Sequence, residues 1–211
     1  MTDFHGMIDG YRRFRSSEWS EERARWAELA EGQRPQVMVI ACSDSRVDPA
    51  QIFDARPGEI FVVRNVANLV PPYEPDNSYH GVSAALEFAV TQLEVAELVV
   101  MGHGACGGCA AALTGQFDGA HAGSGHFIAH WVDMLDEARA RVRRKFPDLG
   151  PDAFRIMEQE GVRTSLRNLM TFPWVRERVA DGRLSLHGAY FAIADGQLCV
   201  LDTATGEFQP A

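Results

Sequence analysis

Two short stretches, far apart in the chain, carry groups that a soft divalent metal would choose: Cys42-Ser43-Asp44-Ser45-Arg46 and Gly102-His103-Gly104-Ala105-Cys106-Gly107-Gly108. Together they offer two thiolates, an imidazole and a carboxylate in a chain with only 4 cysteines. Two cysteines and a histidine leave one corner of a tetrahedral ion for a reacting water, whereas structural zinc sites are closed by four protein ligands. Cys42, His103 and Cys106 therefore read as the ligands of a catalytic Zn2+. Two thiolates and a neutral imidazole cancel the charge of the ion, so it acidifies its water less than a three-imidazole site would and needs help. Asp44 can accept a hydrogen bond from that water, or can ligate the ion and shut the site. Arg46 can grip Asp44 through a bidentate pair and keep it off the metal. The glycines around His103 permit a tight turn, and a helix starting near Cys106 is expected to favour its thiolate form.

Two other readings compete. Cys106-Gly107-Gly108-Cys109 is also a Cys-x-x-Cys motif, which fits a thioredoxin-like redox pair. That reading leaves Cys42, Asp44 and His103 without a role. A closed structural zinc site of Cys42, His103, Cys106 and Cys109 leaves Asp44 and Arg46 without one. Taken singly, a cysteine after a buried strand is a small core hydrophobe; the constellation is what favours a metal. Cys199 reads as packed core. His121, His126 and His130 share one segment, and a solvated surface explains them as well as a proton shuttle does.

The elements that must position these groups alternate between helix and strand. Val37–Ala41, Ile60–Val63 and Leu98–Met101 are continuous apolar runs, the pattern of strands buried on both faces. Ser17 is expected to cap a helix over Glu18–Glu31 that stops at Gly32, and Ser78 a helix over Tyr79–Leu93 with Ala85, Phe88, Ala89 and Leu93 on its buried face. Further helices are expected from Cys106, over Ile128–Lys145 and over Pro151–Met170. Leu184–Ala194 and Leu198–Asp202, around Asp195-Gly196, read as a hairpin. The fold class is α/β: a mainly parallel sheet with an antiparallel edge hairpin, flanked by helices, with an N-terminal helical arm. The arm is expected over residues 1–32 and the zinc-binding domain over 33–211. Both metal-binding stretches follow buried strands, and sites in open parallel sheets gather at the strands' carboxyl ends. Cys42 and His103 can meet if their strands are neighbours.

Composition narrows the partners. The 211 residues are 46% hydrophobic and 23% charged, as in a globular protein. A net charge of −9 argues against nucleic acid or an anionic membrane. The first residues lack the apolar core of a secretory signal, and no apolar run is long enough to span a bilayer. A cytoplasmic location is expected, where cysteines stay reduced and serve metals or catalysis.

The two motifs together resemble those of the β-class carbonic anhydrases. The likeness continues through Pro57-Gly58-Glu59, Arg64-Asn65-Val66-Ala67-Asn68, Leu69-Val70-Pro71-Pro72-Tyr73, Ser165-Leu166-Arg167-Asn168-Leu169 and Leu186-His187-Gly188. The resemblance implies reversible hydration of carbon dioxide to bicarbonate, with Cys42, His103 and Cys106 on zinc and Asp44 with Arg46 as the catalytic dyad. It places Gln33, Phe61, Val66, Phe88 and Gly108 at the substrate, Gln33 reaching it from a partner subunit. It implies a homodimer or a dimer-based assembly, with the aromatic-rich N-terminal segment (Phe4, Tyr11, Phe14, Trp19) laid over a neighbour. One subgroup of the family binds an inhibitory bicarbonate through tryptophan, arginine and tyrosine; the matching positions here are Val39, Arg64 and Phe191, with Tyr190 one residue away. Only the arginine matches, so the plant-like, open-site type is expected and Arg64 is expected to be structural. Phe88 stands where the plant pattern has tyrosine. Hydrolysis of COS or CS2 is a sister activity of the same scaffold.

Overall fold

A computed structural model describes residues 3–76 and 78–211. It divides into two compact units, residues 1–34 and 35–211. The N-terminal unit holds three helices, α1 (Phe4–Ser16), α2 (Glu18–Glu21) and α3 (Arg23–Glu31). Met1 and Thr2, the first residues of the expected arm, lie outside the described residues. The single helix expected over Glu18–Glu31 is broken at Glu22, and Ser17 does not cap it. The Ser17 hydroxyl instead donates backward to the Arg13 carbonyl at 2.8 Å. None of the three helices buries a residue within its unit, although Phe14 and Trp26 meet edge to face at 5.7 Å.

The second unit is built on β1 (Val37–Cys42), the short helix α4 (Pro49–Ile52), β2 (Ile60–Asn65), α5 (Gly81–Glu87), β3 (Glu97–His103), α6 (Gly107–Thr114), α7 (His126–Val132), α8 (Asp136–Lys145), α9 (Pro151–Leu169), α10 (Pro173–Ala180), β4 (Ser185–Ala192), β5 (Gln197–Leu201) and β6 (Phe208–Pro210). The sheet order is β2-β1-β3-β4-β5-β6. The first four strands are parallel; β5 and β6 add antiparallel at one edge. This is the expected α/β architecture. Among the described residues no helix is long and apolar enough to cross a membrane.

Three expectations are corrected. β2 is an edge strand, so its apolar run is only half-buried and Val62 faces solvent. The Tyr79–Leu93 helix begins only at Gly81 and passes into a π turn over Phe88–Gln92; Ser78 gives its backbone N–H to Asp76 rather than capping. Along this segment Ala89 is buried and Leu93 packs on the core as expected, Leu86 and Val90 are buried as well, and Phe88 departs from the expected face at 45% exposed. The Ile128–Lys145 helix is interrupted by a 3-10 turn at Asp133–Leu135. Cys199 is half-buried in β5.

One face of the sheet, through Met38, Ile40, Leu98 and Val100, packs on α5, α9 and α10. The glycine at 102 sets how close α9 comes: a Cβ there would sit 2.6 Å from Val162 Cγ2. The chain leaving β2 is pinned by a serine of the same helix. Ser165 Oγ, fully buried, donates to the Asn68 carbonyl at 3.0 Å and accepts the Val70 N–H at 3.1 Å. Ser165→Ala strips both partners in a dry environment, where an unpaired backbone group costs about 1–3 kcal/mol. Urea unfolding of this variant is expected to show a loss of about 2 kcal/mol; an unchanged midpoint would contradict the assignment.

Candidate metal centre

The adjacency that the site requires is present. β1 lies between β2 and β3, with Ala41 opposite Met101 and Cys42 opposite Asn65. Cys42 therefore ends β1 beside the Gly102-His103 end of β3, and the turn after His103 brings Cys106 to the start of α6. The ligand atoms of Cys42, His103 and Cys106 all lie within 4.8 Å of one another, and the three residues are buried. The two sulfurs are 4.0 Å apart. His103 Nδ1 lies 2.9 Å from the Gly104 carbonyl. That contact makes Nδ1 the protonated nitrogen and leaves Nε2 with its lone pair. Nε2 is buried and has no hydrogen-bond partner. A buried acceptor without a donor is costly, and a metal ion between it and two thiolates satisfies it. The donor set of two sulfurs and a ring nitrogen suits Zn2+.

The thiols do not ionise unaided. The Cys106 hydrogen bond and burial push Cys42 up to about 12, and the Cys109 hydrogen bond and burial do the same for Cys106, also to about 12. Against the favour expected of the start of α6, the Cys109 hydrogen bond and burial hold the proton on Cys106, while the Cys42 hydrogen bond works the other way. A bound divalent cation would supply the positive charge needed to expel both protons.

Asp44 and Cys109 stand outside the three-residue group. Cys109 is buried in α6, and the closed four-ligand alternative loses its fourth ligand. Asp44 faces Arg46 instead. Its Oδ1 accepts from the Arg46 backbone N–H at 3.0 Å and from Nε at 2.9 Å, and its Oδ2 from Nη2 at 2.6 Å. Arg46 thus holds the carboxyl well below the usual carboxylate range, and Asp44 remains an acceptor.

Arg64 organises the turn between them. It donates to the carbonyls of Cys42 at 2.8 Å, Asp44 at 2.6 Å and Val47 at 3.3 Å, and pairs with Asp48 at 3.2 Å. Of the other positions linked with Arg64 in the sequence, Val39 is buried in β1, and Phe191 lies opposite His103 in β4. Tyr190 is committed elsewhere: its hydroxyl donates to Glu158 Oε2 at 2.8 Å, and Glu158 Oε1 accepts the Cys106 N–H at 3.1 Å. Burial raises the Glu158 carboxyl above its ordinary range. Sequence reasoning missed Glu158, though the signal was there. It falls on the α9 stripe of Ala153, Met157, Gly161, Val162 and Ser165, where a charged residue is out of place.

The remaining candidate residues divide. Val66 follows Asn65 at the level of Cys42, is 40% exposed, and touches Gly108 so closely that a Cβ there would lie 2.7 Å from Val66 Cγ1. Phe61 and Phe88 stack on each other at 5.9 Å. Phe61 sits opposite Met38, roughly 13 Å back along the strand from Asn65 at about 3.3 Å per residue. Gln33 is exposed in the N-terminal unit. His121, His126 and His130 are all on the surface.

An α/β sheet with a buried cluster of two cysteines and a histidine at its carboxyl ends, and an aspartate outside that cluster, defines a class of protein with a candidate three-ligand metal centre. Residues 37–198 match the carbonic anhydrase family model. The chain is 36% identical to beta carbonic anhydrase 3 of Arabidopsis thaliana over 188 residues, 89% of this chain and 72% of that one. Its structure superposes on the β-carbonic anhydrase CcaA with a TM-score of 0.90 at 31% identity, covering 100% of both chains. It superposes on a tetrameric β-carbonic anhydrase of the ascomycete Sordaria macrospora with a TM-score of 0.82 at 30% identity, covering 94% of this chain and 96% of that one. The chain belongs to the β-carbonic anhydrase family.

Replacing Arg64 by methionine keeps an unbranched apolar stem and removes all four of its contacts. Loss of a residue that holds a ligand's backbone commonly costs 10–100-fold in metal affinity. Competition against a chromophoric chelator is expected to show zinc bound about 10-fold more weakly or worse; wild-type affinity would mean that the turn holds itself.

Proposed function

We propose that the protein is a zinc-dependent carbonate dehydratase that hydrates carbon dioxide reversibly to bicarbonate and a proton. The observation that carries this reading is the buried, unpartnered His103 Nε2 facing two thiols, with Asp44 close in sequence and held outside the ligand set. Zn2+ held by Cys42, His103 and Cys106 would acidify a water and polarise the substrate oxygen. Asp44 orients that water, because an ionised carboxylate has lone pairs beyond those Arg46 occupies. Arg46 keeps Asp44 charged and turned from the metal, which supports the plant-like, open-site type. Val66 beside Gly108 offers an apolar wall, suited to a substrate with no dipole. Asp44→Ala should reduce CO2 hydration in stopped flow by roughly 100-fold, the scale of a lost proton-handling group, with zinc still bound. Cys109→Ala should stay within about threefold, because its sulfur lies outside the cluster. Sensitivity to Cys109 with indifference to Asp44 and to chelation would favour the redox reading instead.

We further infer that the working unit is a homodimer or a multiple of one, with residues 1–32 as its arm and 33–211 as the catalytic domain. The arm's helices bury nothing within their own unit, and Phe4, Met7 and Tyr11 are exposed. The sheet face at Val37, Val39, Phe53, Ile60 and Val99 carries an apolar groove of about 320 Å3. By the family resemblance, Gln33 would reach the substrate from the partner subunit, and Phe61, Val66 and Phe88 would form the apolar pocket. All four cysteines are free, in keeping with a reducing cytoplasmic setting. Deletion of residues 1–29 should shift the sedimentation profile toward monomer and lower specific activity together; a truncated protein that remains fully dimeric would remove the arm from the interface.

A further inference from the structure

The Ala105–Cys106 peptide is gripped on both sides. Its carbonyl oxygen accepts from Arg46 Nη2 at 3.0 Å, the same nitrogen that bonds Asp44 Oδ2 at 2.6 Å. Its N–H donates to Glu158 Oε1 at 3.1 Å, and Glu158 Oε2 is occupied by the Tyr190 hydroxyl at 2.8 Å. One peptide plane therefore joins the guanidinium that aims Asp44, the cysteine that offers a ligand sulfur, and a carboxylate brought in from α9. Glu158 is 5% exposed and Tyr190 also 5%, so neither contact is exchanged readily with solvent. The residue at the hinge is strained: Ala105 has φ 54°, a left-handed conformation that costs a side-chain-bearing residue of order 1 kcal/mol or more. Such a conformation persists only where its surroundings over-determine it, and here the surroundings are Arg46 and Glu158.

We propose that Glu158, braced by Tyr190, is a positioning residue that fixes the Ala105–Cys106 peptide and thereby sets both the Cys106 sulfur and the Arg46–Asp44 dyad. This rests on the metal-centre reading above and names a determinant within it. Glu158 acts as an acceptor for the Cys106 N–H, and its second oxygen needs only a hydroxyl that can turn. A glutamine in its place could do the same work: the side-chain carbonyl oxygen would accept from Cys106, while the amide would donate to a rotated Tyr190 hydroxyl. A leucine could not.

The test compares Glu158→Gln, Glu158→Leu and Tyr190→Phe as cobalt-substituted proteins, with the thiolate-to-cobalt and d–d absorption bands as a readout independent of turnover. Glu158→Leu is expected to shift these bands, and with zinc to lower kcat/KM by 10–100-fold, the usual scale for a residue that orients a metal ligand. Glu158→Gln is expected to retain the wild-type bands and most of the activity. Tyr190→Phe should move the bands in the same direction as Glu158→Leu but less, and it carries the test if the leucine variant does not fold. In the Asp44→Ala background, Glu158→Leu should add less than its full effect, because both act through one dyad. Wild-type bands in both Glu158→Leu and Tyr190→Phe, or full additivity with Asp44→Ala, would overturn the proposal. A wild-type protein that binds cobalt but does not hydrate CO2 would overturn the activity reading alone, since the band comparison still decides the role of Glu158.

Discussion

Everything at this site follows from the burial of two thiols and an imidazole nitrogen at one point of the fold, where the nitrogen has no hydrogen-bond partner. Two thiols 4.0 Å apart and a buried imidazole nitrogen with no partner are an expensive arrangement. Burial and the neighbouring thiol hold the proton on Cys42, and the hydrogen bond to Cys109 with burial does so on Cys106. A divalent ion reverses the balance by supplying the charge that desolvation withholds. The parallel pairing of β1 with β3 makes the arrangement unavoidable, because it ends both strands at the same edge with their ligands facing.

The aspartate is the second constraint. An open corner is useful only if the nearest carboxylate does not fill it. Three hydrogen bonds from Arg46 orient Asp44 as an acceptor, and Arg64 holds the intervening turn by its carbonyls. The two arginines do different work: one fixes a side chain and the other the backbone that presents it. Planar, multidentate guanidinium groups suit both tasks, and a lysine in either place would supply a charge without the fork.

Much of this was legible in the sequence because it lay in local patterns. Val37–Ala41 and Leu98–Met101 read as buried strands and are the central pair of the site. Cys42, His103 and Cys106 read as ligands from type and spacing. Ile60–Val63 carries the same apolar run, yet it forms an edge strand; composition does not distinguish an edge strand from one inside the sheet. β6, Phe208–Pro210, is too short and ends in a proline, so it gives no periodic signal. The breaks at Glu22, at Phe88–Gln92 and at Asp133–Leu135 follow from packing that a helical repeat does not encode. Glu158 was visible as a charge on an apolar stripe, but its partners come from β4 and from the metal loop, and only the tertiary fold brings them together.

The loop that carries His103 and Cys106 is held by bonds in which the metal has no part. Gly104 N–H meets the Phe191 carbonyl at 2.9 Å, the Ala105 carbonyl meets Arg46, and the Cys106 N–H meets Glu158. Small zinc domains fold only when the ion closes them, because little else fixes their ligands. Here a six-stranded sheet and a 19-residue helix supply the scaffold, and the fold itself places the three candidate ligands. Three side chains placed in this way need no fourth protein ligand to hold them together. The same scaffold explains why a residue such as Ala105 can be kept in a strained conformation in this loop: the strain is opposed by contacts from Arg46 and Glu158 that the fold supplies.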